Sequence, residues 1–428
     1  MIMDFEQDLI SDLPQSIIET ILIKLPIRDA VRTSILSSRW RYKWATLTQL
    51  AFDDNCVSLC NDRAIVENNL SNFITRCLFL HDGPIHKFSL STSYLQFSYD
   101  IDQWLLFLSR KDIKELVLEL GEGEWFRAPS FLFSCKNLTH LELVRCELDP
   151  PPCFKGFFRL KYLNLQQVLI PPDDIECLIA SCPLLESLTL SYFDSLELTV
   201  SAPNLKYLIL EGEFKDISLV NTPLLVFISV AMYMTDDIAD DIAEHFEQSS
   251  SYNFNKFLGG VPQLEKLIGH IYFTKYLSIG NHEGCIPITY HQLKFIELYQ
   301  VSFDDMKEVL VVLQLIVNSP NLQELQISGS FNSSAATQQA PGLDFWEKRC
   351  FIDCTMGRLK TIKMTDVSGV PHEMKLIKFL LEHSPSLETM SIAPSSYLTE
   401  GRLNMLIDLV SFRRASTRAS IIFIHEQI

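Results

Sequence analysis

One six-residue phrase returns along most of this 428-residue chain, and it constrains the fold more than any other feature. An apolar residue is followed by two variable residues, an apolar one, a variable one and an apolar one, as in LTHLEL at residues 138–143. The end of each phrase alternates as a β-strand does, so its leucines share one face. The copies begin at Ile113, Leu138, Leu160, Leu185, Leu205, Leu293, Leu322, Leu359 and Leu387, with looser versions at Ile85, Leu225 and Leu264.

Each copy is too short to bury its own apolar face, so neighbouring copies must stack around one continuous core. Most copies start 20 to 29 residues apart, with gaps of 39 and 37 where insertions fall. This phrase and spacing are typical of leucine-rich repeats. The sequence therefore predicts an α/β fold, with parallel strands on the concave side of a solenoid and helices or irregular segments on its convex side. We assign residues 85–345 to this solenoid.

Prolines precede six of these strands. Proline cannot continue a helix and holds the preceding residue extended, so each is expected to end the segment before its strand. The six are Pro183, Pro203, Pro223, Pro262, Pro320 and Pro385, each two residues ahead of the first apolar position. Convex helices are predicted over Asp173–Ser181, Asp305–Ser319 and Pro371–Ser384, because each segment begins at Asp or Pro and ends just before a proline phrase.

Residues 8–44 carry more apolar surface than a short helical segment can bury by itself. Pro14 suits the first position of a helix, and Pro26 ends that helix because its ring clashes with the preceding turn. The apolar residues between them recur at helical spacing: Ile17, Ile18, Ile21, Leu22 and Leu25. The surplus apolar face indicates contact with another protein.

Two further helices are predicted in this segment. One covers Arg28–Ile35, and the next, capped by Ser37 or Ser38, places Trp40 and Trp44 on one face. Residues 8–44 contain six basic and four acidic residues and so have a net charge of +2. Because the whole chain has a net charge of −17, the rest of the chain has a net charge of −19. An acidic docking partner for this segment is therefore plausible.

The run LPQSIIETILIKLPIRDAVRTSILSSRWRYKW, residues 13–44, resembles the F-box of plant F-box proteins. We assign the F-box to residues 8–54, followed by a helical linker over residues 55–84. In that family the F-box docks on the Skp-type adaptor of a cullin–RING ubiquitin ligase, and the resemblance implies the same partner here. The adaptor-binding residues that it implies are Leu13, Pro14, Ile18, Leu22, Leu25, Pro26, Leu36 and Trp40. The alternative interpretation is a small helical cap on the repeats.

Residues 346–425 resemble the FBD segment found at the C-terminus of many plant F-box/leucine-rich-repeat proteins. The resemblance rests on LKTI at residues 359–362, a helix over Glu373–His383 and SPSLE at residues 384–388. It indicates lineage rather than chemistry, with the region continuing the repeats. The FBD resemblance thins beyond Ser395, and together the three resemblances, to the plant F-box/FBD/leucine-rich-repeat family, cover most of the chain.

Composition argues against several classes of partner. A net charge of −17 disfavours binding to nucleic acid through phosphates. The first ten residues have neither the basic nor the apolar region of a signal peptide, and the longest apolar run, residues 309–317, is too short for a membrane helix. Eleven cysteines without a framework spacing fit reduced thiols, so we expect residence in the cytosol, the nucleus or both.

The sequence supports no catalytic or metal site. Cys56, Cys60, Cys77 and His81 have only a loose zinc spacing, and Cys77 continues a helical stripe that begins at Val66, which favours packing. The P-loop, the Gly-x-Ser-x-Gly elbow and the His-Glu-x-x-His motif do not occur. We therefore nominate no catalytic residue, no metal and no cofactor.

The variable strand positions are candidates for target binding, since the concave faces of solenoids bind partners. Tyrosines among acidic residues suit a basic protein segment, although an ordinary solvated face is the alternative. The candidates are Glu115, Glu119, His140, Glu142, Tyr162, Tyr207, Glu211, Glu297, Tyr299 and Glu324. The acidic stretch 236–251 and the polar stretch 329–342 are interpreted as surface insertions or, alternatively, partner-binding loops.

The resemblance to F-box proteins, joined to the repeats, implies a non-catalytic substrate receptor of a Skp–cullin–F-box ubiquitin ligase. Its F-box would bind the adaptor, and its solenoid would hold an unknown target protein. The alternative is a leucine-rich-repeat scaffold or sensor without ubiquitin-ligase association.

Overall fold

The computed structural model of the protein describes residues 13–95, 99–121, 125–233, 253–279, 288–330, 354–396 and 402–424. The chain divides into two compact units, Met1–Leu185 and Glu186–Ile428, and this division falls inside the predicted solenoid. The acidic stretch 236–251 lies outside the described residues, as do residues 331–342 of the polar stretch. Gly329 of that stretch is a strand residue rather than part of a loop.

The N-terminal segment of the first unit folds into short helices. Helix α1 covers Gln15–Ile23 and α2 covers Ile27–Arg32, with 3₁₀ turns at Thr33–Ile35 and Lys43–Thr46. Pro14 precedes α1 as its N-cap, and its carbonyl accepts hydrogen bonds from the first turn. The predicted third α-helix is wrong: turns and the second 3₁₀ segment replace it, and both tryptophans of the segment are buried.

The first unit also holds a parallel sheet in the order β1-β2-β3-β5-β7. Its strands are β1 (Gln49–Phe52), β2 (Lys87–Thr92), β3 (Glu115–Leu120), β5 (His140–Val144) and β7 (Tyr162–Gln166), while β4 (Phe126–Arg127) and β6 (Cys146–Glu147) form a separate pair. Its further helices are α3 (Arg63–Leu80), α4 (Tyr99–Leu108) and α5 (Pro172–Ala180). The 55–84 linker is therefore helical over most of its length.

The second unit repeats this plan. Its parallel strands are β8 (Ser187–Ser201), β9 (Tyr207–Val220), β10 (Phe227–Met232), β11 (Lys266–Gly269), β12 (Phe295–Val301), β13 (Glu324–Gly329), β14 (Thr361–Val367), β15 (Thr389–Pro394) and β16 (Ser420–Phe423). Its helices are α6 (Asn253–Leu258), α7 (Phe273–Ser278), α8 (Met306–Val317), α9 (Pro371–His383) and α10 (Arg402–Ser411). Strands β8 and β9 extend well past their phrases and pair along both halves.

The repeat prediction is confirmed at all twelve copies, each of which supplies one strand of the parallel sheets. Burial alternates along the strands: Leu163 and Leu165 are fully buried, whereas the residues beside them are partly exposed. The three predicted convex helices correspond to α5, α8 and α9, with bounds that differ by at most two residues. The sheet begins earlier than predicted, because β1 lies within the segment assigned to the F-box.

The six prolines have a more specific role than ending a segment. In each copy the first leucine donates its amide to the carbonyl three residues earlier, as Leu322 N does to Ser319 O at 3.1 Å. Pro320 therefore occupies the second position of a four-residue turn, where its fixed φ suits the turn. The turn directs the chain into the strand.

Replacing Pro320 with alanine is expected to lower the free energy of unfolding by about 0.4–1 kcal/mol, because the unfolded chain gains conformational freedom while the turn persists. Urea denaturation followed by circular dichroism measures this change. A loss of more than about 2 kcal/mol would mean that the ring also supplies packing, contrary to this account.

Candidate functional site

The F-box segment keeps a set of large apolar side chains in solvent. The most exposed are Ile35 at 86 % and Leu36 at 66 %, at the end of the first 3₁₀ turn. The remaining members are Ile17, Ile21, Ile23 and Leu25, which are exposed by between 37 % and 45 %. These six residues are called the exposed F-box face below. Within the described part of the first unit, nothing in the protein covers them.

The predicted adaptor residues divide into two groups. Pro14, Leu25, Pro26 and Leu36 are exposed, and Leu13 is half-buried. Ile18, Leu22 and Trp40 are only 2 %, 0 % and 5 % exposed, because they form the core of the segment. Adaptor contact at these three side chains stays a prediction.

Leu25 and Pro26 border a cleft rather than a flat surface. The cleft has a volume of about 310 Å³ and lies between the α1–α2 connection and the first two strands, where Lys87 and Ser89 line it. The connection thus stands beside the sheet face from which Lys87 and Ser89 project; this face, formed by the variable strand positions, is called the open sheet face below. Adaptor contact at Leu25 and Pro26 stays a prediction.

In the first unit the predicted target-binding residues all project from the open sheet face, but neighbours already engage them. Glu115 pairs with Lys87 Nζ at 3.0 Å. Glu142 accepts a hydrogen bond from Asn164 Nδ2 at 3.1 Å. Tyr162 stacks on His140, with ring centroids 4.1 Å apart. These contacts link adjacent strands, so a target would meet a preorganised surface here.

His140 lies 3.6 Å from Glu142, and Ser91 Oγ donates separately to Glu119 at 2.6 Å, between β2 and β3. The corresponding positions of the second unit are more apolar. Tyr207 is 49 % exposed, and its ring lies 6.3 Å from that of Phe227 on the next strand.

Acidic residues of the second unit flank these aromatic residues. Tyr233 Oη donates to Glu211 Oε1 at 2.5 Å, and this bond raises the pKa of Tyr233 to about 12. Glu297 accepts from Lys266 Nζ at 2.7 Å and from Tyr299 Oη at 3.3 Å. The open sheet face of the second unit therefore combines aromatic rings with carboxylates. Glu324 is also exposed on this face.

The sequence interpretation missed several residues of this face. Phe227 lies on β10 and His270 directly follows β11, and the repeat phrases of both strands are loose, so neither position is assigned from the sequence. His270 stacks on Tyr299 at 5.1 Å, and burial lowers the pKa of its imidazole. Ile209, 36 % exposed, adds an apolar side chain on β9. Counting positions from the loose phrases at Leu225 and Leu264 identifies Phe227 and His270 as residues of this face.

The four residues with loose zinc spacing lie in different environments. Cys56 and Cys77 are buried, and burial raises the pKa of their thiols to about 11 and about 12. Cys60 is exposed, and His81 Nε2 lies 2.7 Å from the carbonyl of Leu47. Among the described ranges, no three His, Cys, Asp or Glu side chains are arranged to hold a metal ion. In those ranges no helix is long and apolar enough to cross a membrane.

Comparison with protein families matches three segments of the chain. The F-box domain model matches residues 10–48, and the FBD model matches residues 347–392. A model of the LRR repeats of an FBD-associated F-box protein matches residues 101–242. These matches overlap the regions assigned from the sequence patterns.

Whole-chain comparison gives the same result. An F-box/FBD/LRR-repeat protein of Arabidopsis thaliana is 58 % identical over 419 residues, which is 98 % of this chain and 99 % of that protein. A second such protein of the same plant is 26 % identical, covering 98 % of this chain and 96 % of its own length. Among solved structures, an internalin from Listeria monocytogenes shares 14 % identity at a TM-score of 0.32, covering 75 % of this chain and 83 % of that one.

Proposed function

This chain belongs to the family of F-box/FBD/LRR-repeat proteins, and we propose that it is the substrate-recognition subunit of a Skp–cullin–F-box ubiquitin ligase. F-box domains in general bind Skp-type adaptors, and F-box proteins are typically non-catalytic. The proposal assigns adaptor binding to the exposed F-box face and target binding to the open sheet face.

The observation that carries this proposal is the exposed F-box face. A folded segment this short rarely leaves six large apolar side chains in water unless a partner covers them. The two side chains at the end of the 3₁₀ turn, Ile35 and Leu36, project furthest. Their burial against an adaptor would supply about 25 cal/mol for each Å² of apolar surface removed from water.

The open sheet face supports the target-binding half of the proposal. Aromatic rings provide rigid contact area, and carboxylates beside them favour a positively charged partner. In the second unit, Tyr207 and Phe227 offer the rings, and Glu211 offers the carboxylate. A segment with basic and apolar residues is therefore the target chemistry that fits best.

The protein would act by proximity rather than by bond chemistry. Holding a target beside the charged ubiquitin carrier raises the effective concentration of its lysines, which accelerates transfer. We place this activity in the cytosol or the nucleus, in keeping with cysteines such as Cys146 and Cys182 that are buried as free thiols.

Replacing Ile35 or Leu36 with aspartate is expected to weaken binding to a purified plant Skp-type adaptor by roughly tenfold or more, or about 1.4 kcal/mol. The substitution removes apolar contact and adds a negative charge to a segment whose net charge is positive. Biolayer interferometry with the full chain measures the dissociation constants.

Phe79→Asp provides a matched control, because Phe79 is 84 % exposed and lies on α3, outside the F-box helices. Its adaptor affinity should equal that of the unmodified protein. The proposal fails if the unmodified protein does not bind the adaptor, or if all three variants bind it as well as the unmodified protein does. The scaffold or sensor alternative would then be preferred.

A further inference from the structure

Helix α10 has two apolar faces, and the fold uses only one of them. Met405 and Leu409 are 3 % and 2 % exposed, so they anchor the helix to the second unit. Leu403, Ile407 and Val410 are 70 %, 59 % and 76 % exposed and lie at helical spacing along the other side. An amphipathic surface helix normally places polar residues on its outer face. This exposed stripe is therefore unusual.

Strand β16, which follows α10 in the chain, also leaves apolar side chains in solvent. It is the last strand in the sheet order of the described residues and pairs with β15 alone. Ile422 and Ile424 are 46 % and 37 % exposed, and Ile421 and Phe423 are only half-buried. Their neighbours on β15, Met390 beside Ile421 and Ile392 beside Phe423, are fully buried. Edge strands usually carry charged or polar side chains, and β16 has a single serine of this kind.

Positive charge accompanies this apolar surface. Residues 402–424 contain four arginines and no lysine, against the single acid Asp408, so their net charge is +3. Because the whole chain carries −17, the remainder carries −20. Arg413 and Arg418 are exposed on the segment between α10 and β16. Arginine binds carboxylates through two parallel hydrogen bonds, which makes it suited to acidic partners.

We propose that the surface formed by α10, β16 and these arginines binds an acidic segment of another protein. Apolar side chains of that segment would cover Leu403, Ile407 and Val410, while its carboxylates would pair with Arg413 and Arg418. The free edge of β16 offers backbone N–H and C=O groups that an extended segment can pair with. The residues of this interface differ from those assigned to adaptor binding and to target binding.

Two other occupants fit these observations less well. A second copy of the chain in a two-fold contact presents the same patch, so Arg413 and Arg418 would meet like charges. A membrane surface would attract the arginines, but lipid offers no partner for the backbone edge of β16. An acidic protein segment satisfies the stripe, the charges and the edge together.

Selection of random peptides displayed on phage, with the full chain as bait, tests the proposal. Two variants serve for counter-selection: Leu403→Ser/Val410→Ser removes the stripe, and Arg413→Glu/Arg418→Glu reverses the charge. We expect peptides that bind the unmodified chain but neither variant, enriched in acidic and apolar residues. Synthetic copies should lose at least tenfold in affinity for each variant. Leu224→Ser, at an exposed leucine elsewhere in the second unit, should bind them unchanged.

Several results would overturn the proposal. One is the absence of any peptide that discriminates between the unmodified chain and both variants, and another is discriminating peptides that are neutral or basic. Light scattering that finds a dimer of the unmodified chain, and a monomer of Leu403→Ser/Val410→Ser, would assign the stripe to a second copy instead. Sedimentation with phosphatidylserine-containing vesicles, lost in both variants, would assign it to a membrane. Circular dichroism melting confirms that both variants remain folded.

Discussion

Replacing Trp44 with alanine is expected to lower the free energy of unfolding of the F-box segment by about 3–5 kcal/mol, the usual cost of removing a buried tryptophan side chain. Trp44 is only 3 % exposed and lies in the 3₁₀ turn that leads to β1. The cavity left behind can be filled only partly, because protein interiors are close-packed. Hydrogen exchange measured by mass spectrometry should show lost protection of the amides of α1 and α2.

Tyr42→Ala is the matched control, since Tyr42 is 63 % exposed two residues earlier. Its effect should stay within about 0.5 kcal/mol, as is usual for surface substitutions. The Trp44 variant should also bind the adaptor less well, but only because the segment opens, so cooling toward the temperature of maximum stability should restore part of the binding. Unchanged amide protection in Trp44→Ala would contradict the core position of this side chain.

The repeats could be predicted because their period is local. The first, fourth and sixth residues of the phrase are buried, so twelve strands follow from the sequence alone. Four described strands were missed: the short pair β4 and β6, and β1 and β16, which show the limits of this rule. The phrase of β1, LTQLAF at residues 47–52, is complete but lies in the segment that resembles an F-box. The phrase of β16 begins at Arg418 instead of an apolar residue.

The contact face of the F-box segment could not be predicted from spacing. Helix α1 is apolar on two sides, and consecutive residues on a helix are rotated by about 100° from one another. Ile18 and Leu22 point into the segment, whereas Ile17 and Ile21 remain exposed. Which side becomes the core depends on where the rest of the chain packs. That information is tertiary, so the predicted contacts mixed buried residues with exposed ones.

The same reason limits the open sheet face. The positions of Glu297 and Tyr299 on that face follow from the phrase, but their partners do not. Lys266 reaches Glu297 across 31 residues of sequence, and the intervals between repeats vary. Side-chain pairing between strands becomes visible only when the register is known.

Two buried carboxyl groups give the second unit a pH dependence. Glu308 and Glu373 occupy the third residue of α8 and of α9, and they are 5 % and 0 % exposed. Glu308 Oε2 accepts from Thr274 Oγ1 at 2.6 Å, and Glu373 Oε2 accepts from the amide of Gly369 at 2.6 Å. Burial raises the pKa of each carboxyl from 4.5 to about 7, because hydrogen bonds to the charged form compensate only partly for lost hydration.

The sign of the effect follows from proton binding. Between pH 4.5 and about 7 the folded protein holds protons on these carboxyls that the unfolded chain has released. The free energy of unfolding therefore falls as pH rises through this window, by about 3 kcal/mol for each group at most. Glu373→Gln keeps a carbonyl acceptor for the loop amides and removes the charge. Its stability relative to the unmodified protein should increase by about 2.5 kcal/mol between about pH 5 and about pH 8.

Urea denaturation at a series of pH values measures this difference, and Glu324→Gln, at an exposed carboxyl on β13, is the control that should show almost none. Glu308→Gln should behave like Glu373→Gln, because the two carboxyls lie at equivalent positions in successive described helices. The contrary result is that the free energies of unfolding of Glu373→Gln and of the unmodified protein differ by the same amount at every pH. That result would mean that Glu373 ionises alike in the folded and unfolded states. The buried carboxyl would then be charged at neutral pH, and the loop amides of Ser368 and Gly369 would have to stabilise that charge fully.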